Sequence, residues 1–282
     1  MTAAYGATVA KRRLSRRLRE LREATGFTAN QVCDRLSWGR GKVGRFEANA
    51  WKRPELSDIR DLLRLYQVGD KERAELEELA MRARERAWWR DYSDVFGDTE
   101  FPGFEADASR ISLYMPLILP GLLQIPAYIE AQMNIATQSP AWRHRTVEAR
   151  RRRQEILDRT DGTAPQLVAV ITEASLLYRW GTVEQQREQI CHLVRLSELP
   201  NVELRLLRFQ DGPHPGMCGP INIFDFPDQE PPAVFLETDF AIQEVIPPDV
   251  DAYIEIFSRI WEAALDPYST RAELTKFAET LE

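Results

Sequence analysis

The sequence predicts an all-α N-terminal domain, a helical connector and a C-terminal domain that combines α-helices with a small β-sheet. Three observations carry this prediction. Leucines recur at helical spacing near the N-terminus, a charged helix-forming stretch follows from Asp70, and short runs of branched and aromatic residues begin after Pro165. The 282 residues, 44% hydrophobic and 29% charged, suffice for two domains with separate cores. We place the three parts at residues 1–69, 70–95 and 96–282.

The outer helices of the N-terminal domain follow from their leucine spacing. Leu14, Leu18 and Leu21 form one apolar stripe, whereas Lys11 and neighbouring arginines cover the other faces. Gly26 is expected to end this first helix. A fourth helix is expected after Pro54, with Ser57 as its N-cap. Its apolar positions are Ile59, Leu62, Leu63 and Leu65.

Residues 27–54 predict two short helices joined by a tight turn. Thr28 is expected to cap the first of them, and residues 37–39 form the turn. The second runs from about Arg40 to Glu47, with Val43 and Phe46 facing inward. This is the layout of a helix-turn-helix, in which the outward groups of the second helix can reach a DNA major groove.

The outward residues of this motif predict contacts with double-stranded DNA. An arginine at the start of the second helix can bond a guanine, and basic residues beyond the helix are expected to hold the DNA backbone. Glu47 is expected to pair with a nearby arginine or to cap a helix. A solvated helix face is the alternative interpretation of the charges. The predicted DNA-binding residues are Thr28, Arg40, Gly41, Lys42, Gly44, Arg45, Lys52 and Arg53.

The distribution of charge supports the same prediction. The whole chain has a net charge of -7, yet residues 1–66 hold fifteen Lys and Arg against seven Asp and Glu, a net +8. The remainder holds 22 basic and 37 acidic residues, a net -15. This asymmetry is typical of a phosphate-binding surface at one end of a molecule. Because one such domain binds DNA weakly, we expect a homodimer.

The segment KVGRFE, 42–47, resembles the core of the lambda-repressor-like (XRE) helix-turn-helix family. Residues 117–131, 148–157 and 211–227 resemble blocks of the C-terminal domain of unknown function in actinobacterial regulators of this type. The resemblance implies a transcriptional regulator, and many such regulators are antitoxin-like and sit beside a small acidic partner protein. An antitoxin-like protein that binds such a partner and regulates its own operon is therefore the alternative function.

Two glycines depart from the family pattern in the second helix of the motif. Gly41 and Gly44 stand where the family commonly has serine. Each glycine inside a helix costs about 1 kcal/mol relative to alanine. The sequence therefore predicts a soft second helix that becomes firm only on DNA or under tertiary packing.

The C-terminal domain is predicted as α+β. Residues 91–108 are expected to form a crossing segment or a loop, and helices are expected near 105–113, 124–136 and 143–160. Five strands are expected in the runs QLVAVIT, VELRLLRF, INIFDF, AVFLET and FAIQEVI. Helices are expected at 182–199, at 250–265 and from Ser269 to Leu281.

Two features of this domain are candidates for binding a small-molecule effector or a partner protein. Within the run of arginines at 150–153, Arg150 and Arg153 can bind an anion, a carboxylate-bearing ligand or an acidic partner, and a salt-bridged helix face is the alternative. His214 lies four residues before Cys218 in a loop rich in glycine and proline, which raises an enzyme as a rival class of function. A turn between strands explains the loop equally well, and we expect no enzyme.

Composition also bounds the compartment and the cofactors. Three widely spaced cysteines without a CxxC pair suggest neither a disulfide framework nor a zinc site, so no metal or other cofactor is expected. The first residues do not resemble a secretory signal. Three prolines interrupt the most apolar stretch, residues 114–129, and no membrane span is expected. The sequence therefore predicts a cytoplasmic protein.

Overall fold

The computed structural model describes residues 6–51, 53–134, 138–228, 230–238 and 242–281, and the chain divides into two compact units. The N-terminal unit extends to Arg90, and the C-terminal unit begins at Asp91. Within the described residues, the first unit is helical and the second contains a six-stranded mixed sheet with helices. The predicted fold class is confirmed.

The N-terminal unit is built around the buried stripes of its helices. Leu14 and Leu18 are buried as the leucine spacing predicts, and Gly26, with a φ of +73°, follows the end of the first helix. Val32 and Cys33 bring the second helix onto the same core. The helices are α1 Ala7–Ala24, α2 Ala29–Arg35, α3 Lys42–Glu47, α4 Leu56–Leu65 and α5 Asp70–Arg82.

Two details of this unit differ from the sequence prediction. Glu55, and not Ser57, occupies the N-cap position of α4, and it makes no side-chain capping bond. Lys11 does not lie on an open polar face, because it is only 9% exposed and its ammonium lies 5.4 Å from the ring centre of Trp51. The aliphatic stem of a lysine can pack on apolar neighbours in this way.

Helix α5 lies in the segment predicted as a connector, 70–95. It packs against α1 and α4, and the compact unit that contains it extends to Arg90. Leu76, Leu79 and Ala80 supply its buried face. The first part of the segment is therefore an integral helix of the N-terminal unit.

The sheet of the C-terminal unit has the strand order β3-β2-β1-β4-β5-β6. Strands β1, β2 and β3 are parallel, whereas β4, β5 and β6 join as an antiparallel extension. All five predicted strands are confirmed over their described residues, and the first two residues of the run FAIQEVI lie outside them. The bounds are β1 Arg110–Met115, β2 Gln166–Thr172, β3 Val202–Leu207, β4 Ile221–Asp225, β5 Ala233–Glu237 and β6 Ile242–Val245.

Strand β1 was not predicted, and it lies at the centre of the sheet. The helix expected near 105–113 is wrong, because the chain is helical only to Asp107 and β1 begins at Arg110. Ser112 pairs with Val168 on one side and with Ile223 on the other. A strand covered on both faces has no alternation of polar and apolar residues, so its short sequence does not distinguish it from a buried helix.

Helices cover both faces of this sheet. One face, which includes Tyr114, Val170 and Ile223, packs against Phe257 and Ile260 of one helix. On the other, Phe101 packs edge-on against Phe224 and Phe235. The α-helices are α6 Ser93–Phe96, α7 Phe101–Asp107, α8 Pro126–Met133, α9 Pro140–Gln154, α10 Glu173–Leu177, α11 Val183–Leu196, α12 Val250–Ala263 and α13 Pro267–Thr280.

Two further boundaries in this unit differ from prediction. The segment 91–108, expected as a crossing segment or loop, contains the short helices α6 and α7. Helix α13 begins at Pro267 and not at Ser269, because the carboxylate of Asp266 accepts bonds from the backbone N–H groups of Tyr268 and Ser269 at 2.9 and 3.0 Å. Aspartate is among the preferred N-cap residues.

Candidate nucleic-acid interface

The first helix of the motif is capped as predicted. The Thr28 hydroxyl accepts from the Gln31 N–H at 3.2 Å, and the Gln31 side chain accepts from the Thr28 N–H at 2.8 Å. This reciprocal capping box satisfies two donors that a helix N-terminus leaves unpaired. Thr28 remains exposed at the surface, which leaves its hydroxyl hydrogen available to an acceptor.

The second helix, α3, begins two residues later than predicted. Arg40 lies in the turn, and Gly41 is the N-cap with a φ of +80°, a left-handed conformation that glycine adopts without strain. Gly41 is therefore not a glycine inside the helix. Only Gly44 lies within α3. The helix is therefore destabilised by one internal glycine and not by the two that the sequence predicts.

Aromatic packing holds the buried face of α3 in place. The Phe46 ring packs against two tryptophans, with its centre 6.3 Å from that of Trp38 and 5.8 Å from that of Trp51. The Trp51 indole N–H donates to the Phe46 carbonyl at 3.1 Å and to the Ser15 hydroxyl at 3.0 Å. Val43 and Phe46 are buried as predicted. These contacts attach α3 to α1.

Glu47 pairs with an arginine, as predicted. Its carboxylate accepts two bonds from Arg22, at 2.6 and 3.0 Å, and the side chains of Arg22 and Glu47 are only 14% and 10% exposed. The hydrogen bond to Glu47 raises the pKa of Arg22 despite its burial. Arg22 also donates to the Phe27 carbonyl at 2.9 Å, so one arginine links α1, the start of the motif and the end of α3.

Lys42 is held by neighbouring side chains. Its ammonium donates to Asp58 on α4 at 2.6 Å and lies 4.1 Å from the ring centre of Trp38. Although Lys42 is a predicted DNA-binding residue, its charge already pairs with Asp58 in this structure. This contact ties the first turn of α3 to α4.

Two arginines of the motif face outward instead. Arg40 and Arg45 are exposed, and no ion pair in the described part of the chain involves either of them. One terminal nitrogen of Arg45 lies beside Gly41, 3.7 Å from the position that a Cβ would take there. Gly44 is half-buried, and Arg53 is exposed beyond the helix. The predicted contact Lys52 lies outside the described residues.

The predicted ligand residues of the C-terminal unit point into its interior. Arg150 donates to the side-chain oxygens of Gln124 and Gln132 at 2.7 and 2.9 Å. Arg153 forms two bonds of 2.6 and 2.7 Å with Glu105, a carboxylate only 1% exposed. Glu105, Gln124 and Gln132 are not predicted from the sequence. Nothing in the local sequence pattern links them to α9, since only the fold brings them beside its arginines.

His214 serves the loop that contains it. Its Nδ1 accepts from the Gly216 N–H at 3.2 Å, its ring packs edge-on against Tyr114, and burial lowers the pKa of its imidazole. At Gly216, a Cβ would lie 2.6 Å from atoms of Tyr114 and Ile260, so the loop backbone presses directly on the core. The side chain of Cys218, its predicted partner, lies outside the described residues.

The N-terminal geometry is that of a helix-turn-helix protein, and residues 13–76 match the family model described as a helix-turn-helix domain. The chain belongs to the family of the domain of unknown function DUF5753, whose model matches residues 99–276. No curated protein and no solved structure matches this chain. No helix in the described ranges is long and apolar enough to cross a membrane.

Proposed function

We propose that this protein is a sequence-specific transcriptional regulator of the XRE type that binds double-stranded DNA through α2, the turn and α3. The observation that carries the proposal is the contrast among the charges of the motif. Glu47 and Lys42 are held by Arg22 and Asp58, whereas Arg40 and Arg45 face outward. The carboxylate of α3 is thus paired with Arg22, whereas the arginine within α3 and the arginine just before it remain exposed.

The positions of the two arginines suit different parts of a DNA site. Arg40 lies just before the N-terminus of α3, and this end of the second helix contacts base edges in helix-turn-helix proteins. An arginine there can donate two bonds to one guanine, which supplies sequence preference. Arg45 lies further along α3 and can reach bases or phosphate. Thr28 and Arg53 are suited to phosphate, which sets the register.

We infer a positioning role for Lys42. Its bond to Asp58 and its stacking on Trp38 orient the first turn of α3. Withdrawing it to bind DNA would break both contacts. In this proposal Lys42 therefore holds the helix that carries Arg40 and Arg45.

We propose that the regulator acts as a homodimer. A single motif makes few phosphate contacts, and such binding is weak at cellular salt. Dimers of helix-turn-helix proteins gain affinity by binding half-sites about 34 Å apart. Sedimentation at micromolar concentration is expected to show a dimer, and a monomer that nevertheless binds DNA tightly would contradict this part of the proposal.

The DNA-binding proposal is tested with the double variant Arg40→Ala, Arg45→Ala on DNA from the protein's own promoter region. We expect affinity to fall about a hundredfold or more, because each arginine–guanine contact is worth about 1–3 kcal/mol. The matched control is Arg60→Ala, Arg64→Ala, which also removes two charges. Those arginines already pair with Glu77 and Asp61. An equal loss of affinity in both double variants would mean that the loss reflects net charge alone and not contacts of Arg40 and Arg45 with DNA.

We propose no catalysed reaction, and we assign His214, which accepts from the Gly216 N–H and packs against Tyr114, a role in holding its loop. The antitoxin-like alternative predicts a different result when binding to the promoter DNA is measured. If the wild-type protein does not bind its promoter DNA while a small protein co-purifies with it, binding of that partner is its first function. The proposed C-terminal role is sensing a ligand or a partner.

A further inference from the structure

The C-terminal unit contains a small cavity of about 50 Å³ beside the ends of β1 and β5. About half of its wall is apolar, with Leu113 and Met115 on β1 and Leu119 on the chain that follows. Its polar lining residues are Gln124, Arg150, Arg153, Asn222 and Glu237. A concave, partly open space that combines apolar walls with a few charged groups is typical of a small-molecule site.

Arg150 is a cation of this cavity that forms no ion pair within the described ranges. One terminal nitrogen donates to the amide oxygens of Gln124 and Gln132, which are themselves 2% and 8% exposed. Among the described residues, no carboxylate lies within ion-pair distance of Arg150. A guanidinium has five N–H donors, so donors remain beyond these two bonds.

Arg153 differs from Arg150 although both line the cavity. Its charge is matched by the two bonds to Glu105. Burial lowers the pKa of Arg153, and Glu105 more than offsets this. For Arg150, burial and then the charge of Arg153 lower the pKa to about 10, while Glu237 opposes them from a longer range. Arg150 therefore still carries its charge at neutral pH.

Arg150 is half-buried and its hydrogen bonds reach only neutral amides, an arrangement that is unfavourable for a cation unless an anion joins it. The planar guanidinium matches a carboxylate, which can accept two parallel N–H bonds. The cavity volume corresponds to roughly three to five groups the size of water, which limits the anion to a few non-hydrogen atoms. Glu237 at the wall disfavours a second negative charge on the same molecule.

We propose that this cavity binds a short-chain monocarboxylate, with Arg150 holding the carboxylate and the β1 side chains contacting its hydrocarbon part. The site goes beyond the proposed DNA binding, because it lies within the C-terminal unit and needs no DNA. It gives the ligand-sensing role a chemical class of ligand. Its test is accordingly made without DNA, so that it fails or succeeds separately.

The test is titration calorimetry of the full chain with propionate, with its uncharged amide propionamide, and with the dicarboxylate succinate, all against sodium chloride at matched ionic strength. We expect saturable binding of one propionate per chain and at least tenfold weaker binding of the other two. The absence of saturable propionate binding, or equal binding of propionamide or succinate, would overturn the proposal. These three titrations need no variant.

Two variants of adjacent arginines locate the site. Arg150→Gln is expected to weaken propionate binding at least tenfold, whereas Arg151→Gln, on the exposed side of the same helix, is expected to bind as the wild type does. Circular dichroism establishes that both variants are folded. Undiminished binding in folded Arg150→Gln would overturn the assignment of Arg150, and if that variant does not fold, the ligand series on the wild type decides the proposal.

Discussion

The helix-turn-helix and helix α9 are both rich in arginine, but the structure uses the charges of these two regions differently. In the motif, Arg40 and Arg45 face solvent. In α9, Arg150 and Arg153 face the sheet and are bonded to Gln124, Gln132 and Glu105. A run of basic residues therefore does not by itself indicate a binding surface, because the neighbouring apolar positions decide which charges turn inward.

The inward face of α9 is visible in its small residues. Thr146 and Ala149 are the buried positions of this helix, and Arg150 and Arg153 continue their stripe at spacings of four. In α3, the inward positions belong to Val43 and Phe46, so no arginine lies there. We therefore expect buried ion pairs to contribute to stability and the exposed arginines to contribute to DNA binding.

The largest expected effect on stability is that of Glu105→Gln. It leaves Arg153 buried without its counter-charge, and breaking a buried ion pair in this way typically costs about 3–5 kcal/mol. Urea unfolding followed by circular dichroism measures the loss. The control Asp94→Asn removes an exposed pair with Arg145 and is expected to change stability far less. Equal losses would remove the distinction between inward and outward arginines.

A smaller loss is expected from Glu47→Gln in the motif. Its partner Arg22 keeps its contact with the Phe27 carbonyl but loses two charged bonds, which corresponds to about 2 kcal/mol. The Glu47 carboxylate is 10% exposed and that of Glu105 only 1%, so the loss is expected to be smaller than for Glu105→Gln. Thermal unfolding of both variants side by side makes this comparison, and a reversed order would contradict it.

The smallest effect on stability is expected from Gly44→Ala. A Cβ at this position meets no atom within 4 Å, and alanine in place of a helical glycine stabilises by up to about 1 kcal/mol. If α3 approaches DNA closely, the added methyl group is expected to lower DNA affinity while the melting temperature rises. A lower DNA affinity together with a higher melting temperature would support the assignment of α3 as the helix that contacts DNA. A gain in both would indicate that the backbone at Gly44 does not face DNA.

The motif was predictable from the sequence because its signals are local. The Thr28 cap, the turn and the inward Val43 and Phe46 all lie within 20 residues. Gly41 was placed inside the helix because a glycine at an N-cap and one in the first turn have the same local pattern. Its positive φ is visible only in the structure.

The C-terminal unit was less predictable because its critical contacts are distant along the chain. The other five strands have recognisable boundaries in the sequence. Strand β1 is buried on both faces, so its polar and apolar residues do not alternate. Glu105 and Arg153 are 48 residues apart, and the pairing of Arg150 with Gln124 spans 26. A run of arginines alone gives no means of choosing such partners.

The central claim is that Arg40 and Arg45 contact DNA while Lys42 positions the helix. It is tested most directly by titrating promoter DNA with three matched variants, Arg40→Met, Lys42→Met and Arg45→Met, each of which removes one charge and keeps an unbranched apolar side chain. We expect each arginine variant to lose tenfold or more in affinity, and Lys42→Met to lose less than about threefold where it is fully folded. A folded Lys42→Met that loses as much as Arg45→Met would contradict the claim.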